Sequence, residues 1–401
     1  MKLLMFGWEY PPHNSGGLGI ACMGLSEALA KIGVDITFVL PKSTPISSTH
    51  AKFLFAEQKG TVTYKVIPSH LMPYPTNGSY MRDKKYPYGN DLLSEVDRYR
   101  KIAAQIAQEE SFDLIHAHDW LSFGAGVAAH EVSKRPFVAH IHATEFDRTG
   151  GHSINKAVYD LEKEGFEKAQ KVIAVSGYTK KIVSEQYGIS AEKISVVHNG
   201  VNYEEYQTTS NSLSALKQNG HKIVLFAGRI TLQKGPDYFV KLAQKVSTYN
   251  PHVIFLVVGS GDMQRRMMEE VAALGLSDKI IFTGFLRGEE LTNVYKIADV
   301  YVMPSVSEPF GITPLESLAC GTPVLISKQS GVSEVLRHAL RADFWDVDEM
   351  TNKIVSVLEH PSLHAALAEN GREESRRQTW NEAAKKCLTI YQELMPLYRY
   401  T

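Results

Sequence analysis

Between an apolar run, Ile223–Ala227, and a helix-period segment lies Gly228-Arg-Ile-Thr-Leu-Gln-Lys-Gly235, two cations held between glycines. Arg229 offers a planar fork that grips two phosphate oxygens at once, and Lys234 adds a compact point charge. The glycines let backbone approach a ligand closely. A solvated strand-to-helix loop carries such a basic pair equally often, so the segment alone leaves both readings open. Further on, Glu308-Pro-Phe-Gly-Ile-Thr-Pro-Leu-Glu316 sets two carboxylates eight positions apart across a turn and a helix start. Thr313-Pro-Leu-Glu316 reads as a capping box with Pro at the first helical position, which accounts for Glu316 but not for Glu308. A helix starting here would present N–H groups and a positive dipole end to a diphosphate, with carboxylates beside it to accept hydrogen bonds from sugar hydroxyls.

Two more motifs lie in the N-terminal half. Ser15-Gly-Gly-Leu-Gly19 stands between the first strand and the first helix, where a glycine-rich turn cradles phosphate. It is not a dinucleotide fingerprint, because the register starting at Gly17 puts Cys22 where the third glycine belongs. A plain tight turn is the alternative. His116-Ala-His118-Asp119-Trp120 and His140-Ile-His142 each place two imidazoles on one face of a strand. Metal-dependent hydrolases use such pairs at strand ends, yet the rest of a closed ligand shell is not evident in the sequence. The expectation is therefore no metal, with His116 and His140 as core histidines satisfied by backbone hydrogen bonds. Asp119, just past its strand end, is harder to explain as structure alone.

The elements that must position these groups alternate along the whole chain. Leu18, Ala21, Cys22, Leu25, Ala28, Leu29 and Ile32 recur at helical spacing, and Val34–Leu40 follows as a strand. Later strands are predicted at 61–67, 113–117, 137–141, 171–175 and 194–197. The polar stretch 202–219 interrupts the pattern and reads as a linker. Strands then resume at 223–227, 253–258, 280–282, 300–303 and 324–326. Alternating strands and helices mean βαβ units with parallel sheets, and 401 residues are enough for two such cores. The predicted class is α/β, with two doubly wound, Rossmann-like domains at 1–205 and 206–379 and ligands at the carboxyl ends of their strands. Residues 380–397 read as a closing amphipathic helix.

Composition excludes several classes. The net charge is −1, and residues 1–205 hold 22 Lys+Arg against 23 Asp+Glu, so there is no basic half for nucleic acid. Three scattered cysteines, Cys22, Cys320 and Cys387, make neither a disulfide framework nor a zinc cluster and fit a reducing cytoplasm. No apolar run reaches the ~18 residues of a membrane span.

Taken together, Gly228–Gly235, the Glu308/Glu316 pair, Trp8-Glu-Tyr-Pro-Pro with Ser15-Gly-Gly-Leu, the His-Ala-His-Asp-Trp run and Val197-His-Asn-Gly-Val201 resemble retaining family-4 glycosyltransferases, glycogen and starch synthases in particular. The resemblance spans nearly the whole chain in order. It implies the GT-B fold, no metal or other cofactor, and transfer with retention from a nucleotide-diphosphate sugar, ADP-glucose or UDP-glucose. Under it Arg229 and Lys234 bind the diphosphate, Glu316 the ribose and Glu308 the sugar hydroxyls. Phe310, Gly311, Ile312 and Thr313 line the donor site. His142 sits near the reacting sugar, Glu9 and Asp119 line the acceptor side, and the Gly16-Gly17 loop closes over the phosphates. The chain from Trp380 onward would return to the N-terminal domain. One departure stands out: bacterial glycogen synthases carry Lys-Thr-Gly-Gly-Leu where this chain has Asn14-Ser-Gly-Gly-Leu.

A nucleotide-sugar 2-epimerase of the same fold, or a hydrolase using the His pairs, are the rival readings. The acceptor is expected to be an oligosaccharide or glucan. Residues 68–91, with Tyr74, Tyr80, Tyr86 and Tyr88 among prolines, form a long connection suited to sugar faces, or alternatively to a homo-oligomer interface.

Overall fold

The computed structural model describes residues 1–12, 16–42, 46, 49–55, 89–207, 217 and 220–395. Among these the chain divides into two compact units: Met1–Phe146 with Ser153–His198 and Trp380–Thr401, and Asp147–His152 with Asn199–Thr379. Each is built on one parallel sheet.

In the first unit, β1 (Lys2–Phe6), β2 (Asp35–Leu40), β3 (Lys52–Phe55), β4 (Leu114–His118), β5 (Phe137–Ile141), β6 (Lys171–Ala174) and β7 (Ile194–Val196) lie in the order β3-β2-β1-β4-β5-β6-β7. Helices Gly17–Lys31, Gly89–Glu109, Trp120–Ser133, Lys156–Lys168 and Gly177–Tyr187 connect them. Helices cover both faces of the sheet, so β4 and β5 are buried throughout, their histidines included. One face holds an aromatic core of Phe123, Phe137, Phe166 and Tyr99. The other receives helix Trp380–Leu394, whose Tyr391 meets His116.

The second unit repeats the plan. β8 (Lys222–Ala227), β9 (Val253–Val258), β10 (Ile280–Gly284), β11 (Val300–Met303), β12 (Val324–Ser327) and β13 (Leu340–Ala342) run in the order β10-β9-β8-β11-β12-β13. Helix Pro236–Tyr249 begins with Pro directly after Gly235, whose φ of 67° is the left-handed conformation that glycine adopts without a Cβ penalty. Ser176, Asn155 and Asp346 cap other helices by accepting backbone N–H bonds.

Two strands escaped the sequence reading, the half-exposed edge strand β3 and the three-residue β13. The strand expected at 61–67, most of the linker 202–219, residues 13–15 with the Asn14 departure, and Tyr74, Tyr80, Tyr86 and Tyr88 lie outside the described residues. No helix among the described residues is long and apolar enough to cross a membrane.

Helix Trp380–Leu394 docks through a close approach. A Cβ placed on Gly24 would lie 2.3 Å from the Trp380 indole. Gly24→Ala would gain about 1 kcal/mol of helix propensity, but overpacking costs about 1–3 kcal/mol. The net expectation is a loss of stability in urea titration, largely recovered when Trp380→Phe is added. A Gly24→Ala protein more stable than wild type would contradict this packing.

Candidate active site

Strand order reverses between β8 and β11, so the loops leaving their carboxyl ends diverge and open a crevice within the second unit. Arg229 and Lys234 stand on the loop after β8, and Glu308 on the loop after β11. The β8 loop is held by backbone contacts too close for any side chain. A Cβ on Gly235 would come within 2.1 Å of the Pro304 carbonyl oxygen, one on Gly259 within 1.9 Å of the Gly228 oxygen, and one on Gly261 within 2.2 Å of the Ile230 oxygen. Gly228 N–H donates to Val258 O at 3.0 Å and Ile230 N–H to Ser260 O at 3.0 Å, which locks the β8 loop to the β9 loop.

Lys234 Nζ pairs with Glu308 Oε2, and Ser305 Oγ donates to the same oxygen at 3.2 Å. Both side chains are largely buried, at 18% and 7% exposure, so each charge depends on the other while no ligand intervenes. The Glu308 backbone is fixed as well: its N–H donates to Gln329 O and its C=O accepts from Gly331 N–H, both at 2.9 Å. Phe310 is buried, and Gly311 takes a φ of 97° with the space above its Cα closed by Met303 and Glu308.

The capping-box reading of Thr313 and Glu316 does not hold. Helix Thr313–Ala319 starts at Thr313 itself, with Ile312 before it and no side-chain cap. The Thr313 hydroxyl pairs with Tyr301 Oη at 2.8 Å, and Glu316 accepts from Tyr295 Oη at 2.9 Å and from Tyr206. Burial pushes the Glu316 carboxyl above its ordinary range, and the two tyrosine hydroxyls act against that shift.

In the first unit the order reverses between β1 and β4. Glu9 follows β1 and Asp119 follows β4, so both stand at that switch point. Glu9 Oε1 accepts from Gly19 N–H at 3.1 Å, which ties it to the first turn of helix Gly17–Lys31 beside Gly16 and Gly17. Asp119 holds a φ of 61°, a strained position for a residue with a Cβ. Its Oδ1 accepts from His142 N–H at 2.6 Å and Ala143 N–H at 3.3 Å.

The four histidines form one array. His116 and His118 stack at 4.4 Å between ring centroids, His140 and His142 at 4.3 Å. Backbone hydrogen bonds do not satisfy His116 and His140, contrary to expectation. His116 Nδ1 pairs with Tyr391 Oη at 2.5 Å, and its Nε2 with His140 Nδ1 at 3.2 Å. Burial lowers all four below the usual histidine range, His116 and His142 to about 3, so the array is neutral near pH 7.

Several supporting residues were invisible in the sequence. Gln233 is buried beside Arg229, with Nη2 to Oε1 at 3.5 Å. Ser307 Oγ donates to Asp147 Oδ1 at 2.6 Å within the second unit, next to Glu308. The chain's Asp-x-Asp stretch, Asp346-Val347-Asp348, is structural: Asp346 caps helix Val347–Glu359 and Asp348 pairs with Lys245.

Residues 209–374 match the model of glycosyl transferases group 1, and residues 15–205 match glycosyltransferase family 4. A glycosyltransferase of Methanocaldococcus jannaschii is 30% identical over 99% of both chains. This chain is a family-4 glycosyltransferase of the GT-B fold. The enzyme is also 27% identical to the glycogen synthase of Mycobacterium tuberculosis, over 98% of this chain and 94% of that one. It shares its fold with the sucrose-phosphate synthase of Thermosynechococcus elongatus, with a TM-score of 0.80 and 24% identity over 99% of each chain.

The buried pair makes a stability prediction for this glycosyltransferase. Lys234→Ala strands the Glu308 carboxylate and should cost about 3 kcal/mol. Adding Glu308→Gln should restore most of that, since no buried charge is left. Strictly additive losses in urea denaturation would show that the pair is not coupled.

Proposed function

We propose that this glycosyltransferase moves glucose, with retention, from a nucleotide-diphosphate sugar (ADP-glucose or UDP-glucose) to an oligosaccharide or glucan. The observation that carries this reading is the placement of Arg229 and Lys234 at the β8/β11 switch point, with Lys234 engaged to Glu308. The relation to a glycogen synthase over nearly the full length supports a glucose donor and a glucan-type acceptor.

In the proposed mechanism the diphosphate draws Lys234 away from Glu308. The lysine then faces phosphate oxygens, and the released carboxylate accepts hydrogen bonds from sugar hydroxyls. Arg229 adds a bidentate contact, and Phe310, Gly311, Ile312 and Thr313 line the donor site with Glu316 at the ribose. As the glycosidic bond to phosphate breaks, charge grows on the leaving group, and two preorganised cations meet it without a metal ion. Glu9 and Asp119 of the N-terminal unit serve the acceptor, and His142 serves the reacting sugar. His142 is suited to this as a neutral group, since burial keeps its imidazole uncharged. Gly16 and Gly17 give the backbone freedom to approach the phosphates.

Glu308 is not a covalent nucleophile in this scheme. Retaining glycosidases need two carboxyl groups ~5–5.5 Å apart across the bond, whereas here the released Glu308 carboxylate is assigned to the sugar hydroxyls. Instead the leaving phosphate takes the acceptor proton on the face it departs from.

Arg229→Ala tests the reading. Removing one charge-assisted contact to the leaving phosphate should lower turnover at saturating donor by about 10²–10³. Arg229→Lys should recover only part, because it lacks the planar fork. Turnover close to wild type in Arg229→Ala would overturn the phosphate assignment. Loss of donor without release of free nucleoside diphosphate would favour an epimerase.

A further inference from the structure

We propose that His116, His118 and His140 hold a transition-metal ion of the zinc class inside the N-terminal unit, separate from the metal-free chemistry assigned to the phosphates. β4 and β5 pair in parallel with His118 opposite His140. Side chains two apart share a face, so the register brings four imidazoles into one block. Centroids of His116 and His140, and of His118 and His140, are each 5.2 Å apart. One ring nitrogen from each of these three residues lies within 4.8 Å of the others, and all three side chains are buried.

The outer nitrogens are oriented as metal ligands require. His116 Nδ1 is engaged by Tyr391 Oη at 2.5 Å, and His118 Nδ1 by His142 Nε2 at 2.9 Å. His116 Nε2 faces His140 Nδ1 at 3.2 Å, a contact that metal binding would replace, and a partner on one ring nitrogen fixes the tautomer in which the other is a ligand. His118 Nε2, His140 Nε2 and His142 Nδ1 have no hydrogen-bond partner. Leaving a buried polar nitrogen unpaired costs about 1–3 kcal/mol, and two of the three in this cluster, on the proposed ligands, fit a cation better than an apolar core. Metal–imidazole bonds of ~2.0–2.1 Å place ligand nitrogens roughly 3.4 Å apart, so nitrogens now within 4.8 Å of one another close in by up to roughly 1.4 Å through side-chain rotation.

The donor set selects the metal. Three neutral imidazoles suit zinc, copper or nickel, whereas magnesium, calcium and manganese prefer oxygen. Asp119, buried directly after His118, accepts from the His142 backbone N–H at 2.6 Å and so fixes the chain beside the array. Tyr391 lies on helix Trp380–Leu394, so the ion would tie β4 and β5 to that helix and serve the unit's fold.

The test is a metal inventory on protein made without a histidine tag. The full chain is stripped with a strong chelator, reloaded with zinc(II), passed through a desalting column and analysed by mass spectrometry. About one zinc per chain should remain, and His140→Gln should retain less than about a tenth of that. His152→Gln, outside the array, should match wild type. Cobalt(II) loading should give visible ligand-field bands in wild type and lose them in His140→Gln. A folded wild-type protein that keeps no zinc above background would overturn the proposal and assign the bare nitrogens to ordered water. Full zinc retention by His140→Gln would overturn it equally.

Discussion

Parallel strands place all their carboxyl ends on one edge of a sheet, and a reversal of strand order forces two neighbouring loops apart there. That constraint acts twice in this chain, at β1/β4 and at β8/β11, and every proposed functional side chain sits on or beside one of the two loop pairs. In the C-terminal unit the divergence alone would leave loose loops. Close backbone contacts at Gly235, Gly259 and Gly261 remove that freedom, because a Cβ at any of them would collide with a carbonyl of a neighbouring loop. The loop that carries Arg229 and Lys234 is therefore held against its neighbours by backbone contact.

The two units handle buried polarity in opposite ways. The C-terminal site keeps its charges and pairs them, Lys234 with Glu308, while Glu316 is buried under two tyrosine hydroxyls. The N-terminal site keeps its imidazoles neutral through burial and stacks them. In the proposed mechanism an ion pair that a ligand can exchange lets Lys234 leave Glu308 when a diphosphate arrives. Asp119, strained and anchored by two backbone N–H groups, joins the histidine array to the strand-end site.

Much of this was legible in the sequence because the signals are local. Runs such as Val253–Val258 are rich in β-branched residues and uniformly apolar, as a strand buried on both faces is, and their bounds were read to within a residue or two. The motif residues Arg229, Lys234, Glu308 and Glu316 were visible through spacing against glycine and proline. What stayed hidden depends on distant partners. Thr313 looked like a cap, but its hydroxyl goes to Tyr301 on the strand before. His116 and His140 looked like ordinary core residues until the β4/β5 register and Tyr391, 275 positions away from His116, placed them in one cluster. β3 and β13 are too short, or too exposed, to show periodicity.

The central claim is that a nucleotide-diphosphate glucose gives up its sugar to a carbohydrate acceptor with the anomeric configuration kept. Proton NMR of the reaction, followed in real time with a glucan oligosaccharide and either ADP-glucose or UDP-glucose, tests it directly. The account predicts a first-formed product carrying the small anomeric coupling of an α-linkage, matched mole for mole by free nucleoside diphosphate. A first-formed product with the large coupling of a β-linkage would contradict it.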